Sequence, residues 1–506
     1  MQNSPPTPYK LPTIKQLLAT GGDARIAIDP LSGLNKYGCS PVPDAQLLAF
    51  GSSTASNISP EAYAVANRLH EKLLQALSTE PPAVVYALEI KRLRQDYLDL
   101  CELSEFDGLE LILSPSGTDL HALVAQYTGG GVSKPALIIM VEANETGSGV
   151  ASALNENPVA GNNNVEVAQV CIRLDDGMPR LLAEIDAEVE YLVNKAVASD
   201  RRVLLILVDQ SKTGLIAPSL SCVLSLHQRY PDNIDVLVDA CQFRIAIPTL
   251  QAYLEQGFML ALTGSKFLTG PSFSAALLVP ETVVNRFQKR GFPRGLLPGH
   301  NPDSWTADET LEQPANFGLL LRSAVALDEL RRFRTVPRAF IINFIMAFAK
   351  TISQRMISDP HFEPLAVPQL DRRPLIEADS WDHLQTLFPF LLYELQSAER
   401  IPLSREQTRN VYQQLPIKLE RPESDAGSIR CQLGQPVACG IRNDIPVSAL
   451  RLCISSRLIV EAADRGDKGL AIINDALAAL DKTAAIVDAQ SGCRDRAAAR
   501  PAADSR

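Results

Sequence analysis

The 506-residue chain has no apolar run long enough to cross a membrane: the longest, Phe340 to Ala349, is about half of the roughly 20 residues that a spanning helix needs. It also lacks an excess of positive charge. Acidic residues outnumber basic ones by 58 to 48, a net charge of −10, so neither nucleic acid nor an anionic membrane surface is expected as a partner. Its nine cysteines include no CxxC pair and are odd in number, which argues against a zinc site, against any other bound metal and against a disulfide framework. Most of them read as small core residues. Residues 1–10 lack the charged-then-apolar order of a secretory signal, so a cytoplasmic location is expected. What is present, 46% apolar and 21% charged residues, is the composition of an ordinary globular chain with room for about three domain-sized units.

Seven prolines (5, 6, 8, 12, 30, 41 and 43) discourage regular structure at the start and suggest an arm, residues 1–60, that packs over something else. Ser59 before Pro60 reads as the cap of a helix reaching Ser78. Strand-length apolar runs then recur at 111–113, 136–141, 167–172, 203–208, 234–238, 259–262 and 275–279. Several alternate with helical patterns at 119–127, 181–197 and 219–229. This βαβ rhythm predicts a mostly parallel seven-stranded sheet with helices on both faces, spanning a large α/β domain at 61–300. Gly291 to Pro302 reads as a connection, and Phe317 to Met356 as one long helix whose Arg331, Arg332 and Arg334 form a solvated face. Residues 361–424 are mixed. Strands at 428–431 and 449–455 and a helix at 468–487 suggest a small α+β C-terminal domain over 301–487, and 488–506 reads as a disordered tail.

Ligands of such sheets bind beyond the carboxyl ends of the strands, and three strand ends carry suitable chemistry. Ser114 to Asp119 offers small residues and a helix start to a phosphate, though the same residues suit an ordinary helix cap. Asp239 ends an apolar strand, where its carboxylate can hold a cationic ligand nitrogen or cap a turn, and Gln242 follows three residues on. Lys266, in Thr263-Gly264-Ser265-Lys266, lies between two buried-looking strands, as a nucleophilic amine or as a surface-turn lysine.

Together these segments resemble the fold-type I pyridoxal-phosphate enzymes, in particular the class V aminotransferase and cysteine desulfurase group. In that group a strand-end Asp-x-x-Gln is followed about 25 residues later by Ser/Thr-x-His-Lys, matched here by Asp239, Gln242, Thr263 and Lys266. The resemblance covers roughly 50–300 and, more faintly, 425–485. It implies pyridoxal 5'-phosphate as cofactor, an amino-acid substrate and a homodimer. It implies that Lys266 forms the internal aldimine and shuttles protons, that Asp239 pairs with the pyridinium nitrogen, and that Gln242 bonds the phenolic oxygen. Gly117, Thr118 and Thr263 would hold the phosphate, and Ser211 sits where the group has an asparagine directed at the ring. Arg451, between Leu450 and Leu452, looks like the strand arginine that holds the substrate carboxylate, a task that its planar fork suits.

The chain departs from the group at Ser265, where desulfurases have His, and in Glu142 to Gly149, which offers no ring to stack on the cofactor. His121 is a conceivable substitute, although a helix-surface histidine is the plainer reading. Aminotransferase is the expected activity. The alternative is a carbon–sulfur lyase or a β- or γ-elimination or replacement enzyme of specialised metabolism. A desulfurase would need a mobile thiol, for which Cys439, between Gly and Pro residues that suggest a loop, is a better candidate than Cys431.

Overall fold

The structure is a computed structural model describing residues 9–129, 135–147, 149–156, 165–290, 315–377, 380–396, 399–419 and 428–498. The 291–302 connection lies outside the described residues.

The strands, in chain order, are β1 Leu47–Phe50, β2 Glu110–Ser114, β3 Ala136–Val141, β4 Val165–Val170, β5 Arg202–Asp209, β6 Ile216–Ala217 and β7 Ile234–Ala240. They continue with β8 Met259–Thr263, β9 Ala275–Val279, β10 Phe362–Pro364, β11 Leu387–Gln396, β12 Glu399–Pro402, β13 Arg430–Arg442 and β14 Ile445–Cys453. The large sheet has the order β2-β9-β8-β7-β5-β3-β4, with the two-residue β6 at the end of β5. β3, β4, β5, β7 and β8 are parallel, whereas β9 runs antiparallel to β2 and β8. Successive residues feed two different cores: Leu205, Val236 and Leu260 face one side, and Leu204, Leu237 and Met259 the other. A sheet covered on both faces leaves no polar alternation, which is why its strands are unbroken apolar runs in the sequence.

The second sheet has the order β1-β13-β14-β11-β10, with β12 on β11. Its edge strand β1 comes from the N-terminal arm and pairs in parallel with β13, so the arm is built into the C-terminal sheet. The single helix expected over 317–356 is two, Phe317–Phe333 and Arg338–Ser358, bent by 95° at the break. Pro337 is the cause: it lacks an N–H and pushes the residue before it out of the helical region. Helix Phe317–Phe333 packs on helices Pro60–Leu77 and Pro82–Leu100, and its buried Arg322 donates to the carbonyls of Leu17, Gly21 and Phe273. The same helix also packs on helix Ser456–Asp464, whose Arg457 pairs with Glu329 at 3.1 Å. Among the described residues no single helix is long and apolar enough to cross a membrane. The last helix, Leu470–Ala498, runs on beyond Val487 into the segment expected to be a disordered tail, and 499–506 lies outside the described residues.

Candidate active site

The carboxyl ends of β2, β7 and β8 open onto a cavity of about 1030 Å³, closed on its other sides by the arm and by β13 and β14. Gly117, Thr118, Asp239, Thr263, Lys266 and Arg451 all line it.

Helix Gly117–Gly129 starts directly after β2. Ser116 and Asp119 cap it reciprocally, with the Ser116 N–H and hydroxyl 2.9 and 2.8 Å from Asp119 Oδ2. The Gly117 and Thr118 N–H groups find no acceptor among the described residues and point the positive end of the helix at the cavity. A side chain at Gly117 would put its Cβ 2.7 Å from Cys241 Sγ, so only glycine permits this approach. Arg25 of the arm reaches over the same turn, 3.3 Å from Ser116 Oγ and 3.4 Å from Thr118 Oγ1. Thr263 gives its hydroxyl proton to the Cys241 carbonyl at 2.6 Å, which leaves its oxygen as an acceptor beside this turn.

Asp239, 5% exposed, accepts from Thr146 Oγ1 at 3.0 Å and the Cys241 N–H at 3.1 Å. Its other neighbour is His121 Nε2, 3.4 Å away. Burial alone would favour the neutral acid, but His121 and Lys266 outweigh it and hold the carboxyl well below the usual range. His121 is 1% exposed, not the helix-surface residue expected, because its helix is buried on every side from Leu120 to Thr128. Its Nδ1 lies 2.7 Å from the Gly117 carbonyl, which can only accept, so that nitrogen carries a proton. Burial opposes its second proton, yet Asp239 and Gly117 outweigh burial and raise its pKa.

Gln242 and Ser211 do not reach the cavity. The Gln242 amide donates to the Ser53 carbonyl at 3.1 Å. Ser211 donates to Glu145 Oε2 at 2.8 Å, within a buried cluster where Glu145 also binds Arg173 and Thr213. That cluster fixes the turn so that the next residue, Lys212, lines the cavity instead. The sequence pattern missed Lys212 because the match in its segment falls on the neighbouring Ser211, and it missed Arg25 because the arm lies outside the matching segments. Burial and the nearby Arg451 and Lys266 cations push the Lys212 amine down to about 8. It is charged at neutral pH and loses that charge as pH rises through that value. The cavity's affinity for a simple anion such as propionate should therefore fall from roughly pH 7 to 9, and Lys212→Gln should flatten the fall. Titration calorimetry across this range checks it; identical profiles would place the Lys212 ammonium outside the anion site.

Arg451 on β14 is 2% exposed and donates to the Lys212 carbonyl at 3.2 Å, Thr54 Oγ1 at 3.1 Å and the Gln435 carbonyl at 2.7 Å. Its Nε has no partner, and no carboxylate pairs with it among the described residues. Cys439 is not in a loop. It lies inside β13 with its thiol pushed up to about 11 by burial, and Cys431, on the same strand, is pushed up to about 12. Neither has the mobility or the acidity of a reactive thiol.

These residues fit pyridoxal phosphate: a glycine cradle with free N–H donors for a phosphate, a buried ionised carboxylate for a ring nitrogen, and an amine on the same wall. No family model matches the sequence, and no curated protein matches it. Solved structures do match. A complex of the cystine C–S lyase C-DES with its product cysteine persulfide aligns with a TM-score of 0.52 at 14% identity, over 85% of this chain and 98% of that one. A lysine-to-alanine mutant of C-DES with glycine covalently linked to its PLP cofactor gives 0.51 and 15%, over 85% and 99%. The cysteine desulfurase CsdA from Escherichia coli gives 0.49 and 12%, over 86% and 95%. The fold of this chain is that of the fold-type I pyridoxal-phosphate enzymes.

Proposed function

We propose that the chain is a pyridoxal-phosphate-dependent enzyme acting on an amino acid, specifically an aminotransferase of class V type. The observation that carries this reading is a single cavity wall shared by Lys266, the ionised Asp239 and the open helix start at Gly117 and Thr118. When bound, the cofactor supplies an electron sink for a carbanion at the substrate α-carbon. The Gly117 and Thr118 N–H groups, with Thr263 and Arg25, receive the phosphate. Asp239 would hold the protonated ring nitrogen, and His121 and Thr146 keep that carboxylate charged and aimed. Lys266 Nζ would hold the cofactor covalently, and its amine is placed to act as the base toward the substrate α-proton. Arg451 holds the α-carboxylate. Ser211 has no part in this reading, since it is engaged with Glu145, while Gln242 Nε2 is held by the carbonyl of the cavity residue Ser53 and its Oε1 finds no partner among the described residues.

The purified protein should be yellow, and Lys266→Ala should abolish covalent attachment of the cofactor. Borohydride reduction and peptide mapping test this, and a label on another lysine would overturn it. A homodimer is proposed as the assembly, although arm residues already wall the cavity within one chain. Light scattering of active protein tests it.

A carbon–sulfur lyase is the second reading, favoured by Lys212: a cavity ammonium titrating near 8 can give a proton to a departing side-chain group. Mixing the loaded protein with single amino acids separates the two readings. An aminotransferase converts the Lys266-bound absorbance to that of the amine form, whereas a lyase releases product and keeps the original band.

A further inference from the structure

The chemistry proposed above needs one cation for the substrate carboxylate, and the cavity has several more. Lys212 and Arg451 stand on its inner wall, while Lys36, Arg405 and Arg409, all exposed, stand at its mouth. Among the lining residues the one carboxylate is Asp239, which His121 already matches. Elsewhere on the surface of this acidic chain, Arg229, Arg331 and Arg442 pair with Glu190, Asp328 and Glu363. Among the described residues no acidic side chain pairs with Lys36, Arg405 or Arg409, and the one contact of the Arg405 guanidinium is the Val447 carbonyl at 3.4 Å.

The two arginines are also held in a fixed relation. They lie four residues apart on helix Arg405–Gln414, which Thr408 and Val411 anchor to the core and a Ser404–Gln407 capping box secures at its start. Residues at this spacing share one face. Across the mouth is Lys36, on the arm beside Asn35, whose side chain donates to Ser272 Oγ at 3.0 Å. Size points the same way. A cavity of about 1030 Å³ stands at the top of the roughly 300–1,000 Å³ range of drug-sized ligand sites, more than a small amino acid beside the cofactor would fill.

We propose that the substrate carries a second anionic group at the far end of its side chain, a carboxylate or a phosphate. Arg405, Arg409 and Lys36 take that group at the mouth while Arg451 takes the α-carboxylate. This specificity rests on the reading of the site given above and names its substrate class.

Unreactive probes test it on the full-length protein by titration calorimetry: the α,ω-dicarboxylates from glutarate to suberate, the half-amide of each, and ω-phosphonocarboxylates of matching length. At one preferred length the dianion should bind about tenfold tighter than the half-amide, as two or three partly exposed pairs allow. The advantage should shrink as salt rises. Arg405→Gln/Arg409→Gln should bring the dianions down to the affinity of the half-amides, and the better of the carboxylate and phosphonate arms identifies the group. A dianion advantage absent at every length, or intact in the double variant, overturns the proposal. Failure of the cofactor assignment would be seen separately, as a missing borohydride label on Lys266 with the dianion preference intact.

Discussion

Replacing Arg372 by methionine should destabilise the protein by about 3–5 kcal/mol, the cost of leaving a buried carboxylate without its partner. Arg372 and Asp209 are both fully buried. The guanidinium donates from Nε and Nη2 to the two Asp209 oxygens, each at 2.7 Å, and from Nη1 to the Asp382 carbonyl at 2.7 Å. Tyr253 adds a hydrogen bond to Asp209 Oδ2 at 2.8 Å. Asp209 ends β5 of the large sheet, and Arg372 belongs to the mixed segment that the sequence pattern leaves unparsed. This segment, the connection between β10 and β11, thus plugs the second sheet onto the end of the large sheet, next to the turn that carries Lys212. Methionine keeps the bulk and removes the charge. In Arg372→Met/Asp209→Leu both charges are gone, so most of the loss should be recovered. Midpoints of denaturant unfolding for the three proteins decide it, and a single-variant loss within about 1 kcal/mol would show that Asp209 does not depend on Arg372.

The large sheet is legible in the sequence because burial on both faces writes each strand as an apolar run, and no long-range information is needed to see one. Asp239 and Lys266 follow from those runs, since the residue at a strand's carboxyl end has a predictable place. Other features escape for particular reasons. β13 passes through Gly434, Pro436 and Gly440, which read locally as a loop around Cys439. The strand absorbs them as bulges, and Gly440 takes φ 106° where the 175–177 turn packs against it. Ser211 and Lys212 are neighbours, and which of them faces the cavity is decided by Glu145, far away in sequence. Arg25 meets Ser116 and Thr118 only because the arm folds back over the sheet ends. His121 is the instructive case. The run Leu120 to Tyr127 carries apolar residues on most of its circumference, so burial of the histidine is readable there, but its pairing with Asp239 requires the fold.

Arg451→Ala should weaken binding of an amino-acid substrate by about 2–5 kcal/mol, the usual consequence of removing one partner of a buried charge pair. Arg451→Lys should recover part of this, because it restores a positive charge without the planar fork. The contrast with Arg372 makes the argument. Arg372 meets the Asp209 carboxylate with two N–H groups, and its loss strands a charge in the core. Arg451 is as deeply buried, yet it meets two carbonyls and a hydroxyl, keeps an unpartnered Nε, and forms no direct ion pair with a carboxylate among the described residues. Burial accordingly lowers its pKa, the mark of a cation held at a cost to folding. Residues Thr54, Lys212 and Gln435 line the cavity, so water can take over their acceptors when the guanidinium is removed. Arg451→Met should therefore leave stability within about 1 kcal/mol of the wild type while substrate affinity collapses. The absorbance of the bound cofactor should survive, because Lys266, Asp239 and Gly117 do not depend on Arg451. Titrating that absorbance with amino acids, alongside denaturant unfolding of the same variants, separates the two roles. A loss of stability as large as that of Arg372→Met, with affinity unchanged, would make Arg451 a structural residue and leave the substrate carboxylate to Lys212.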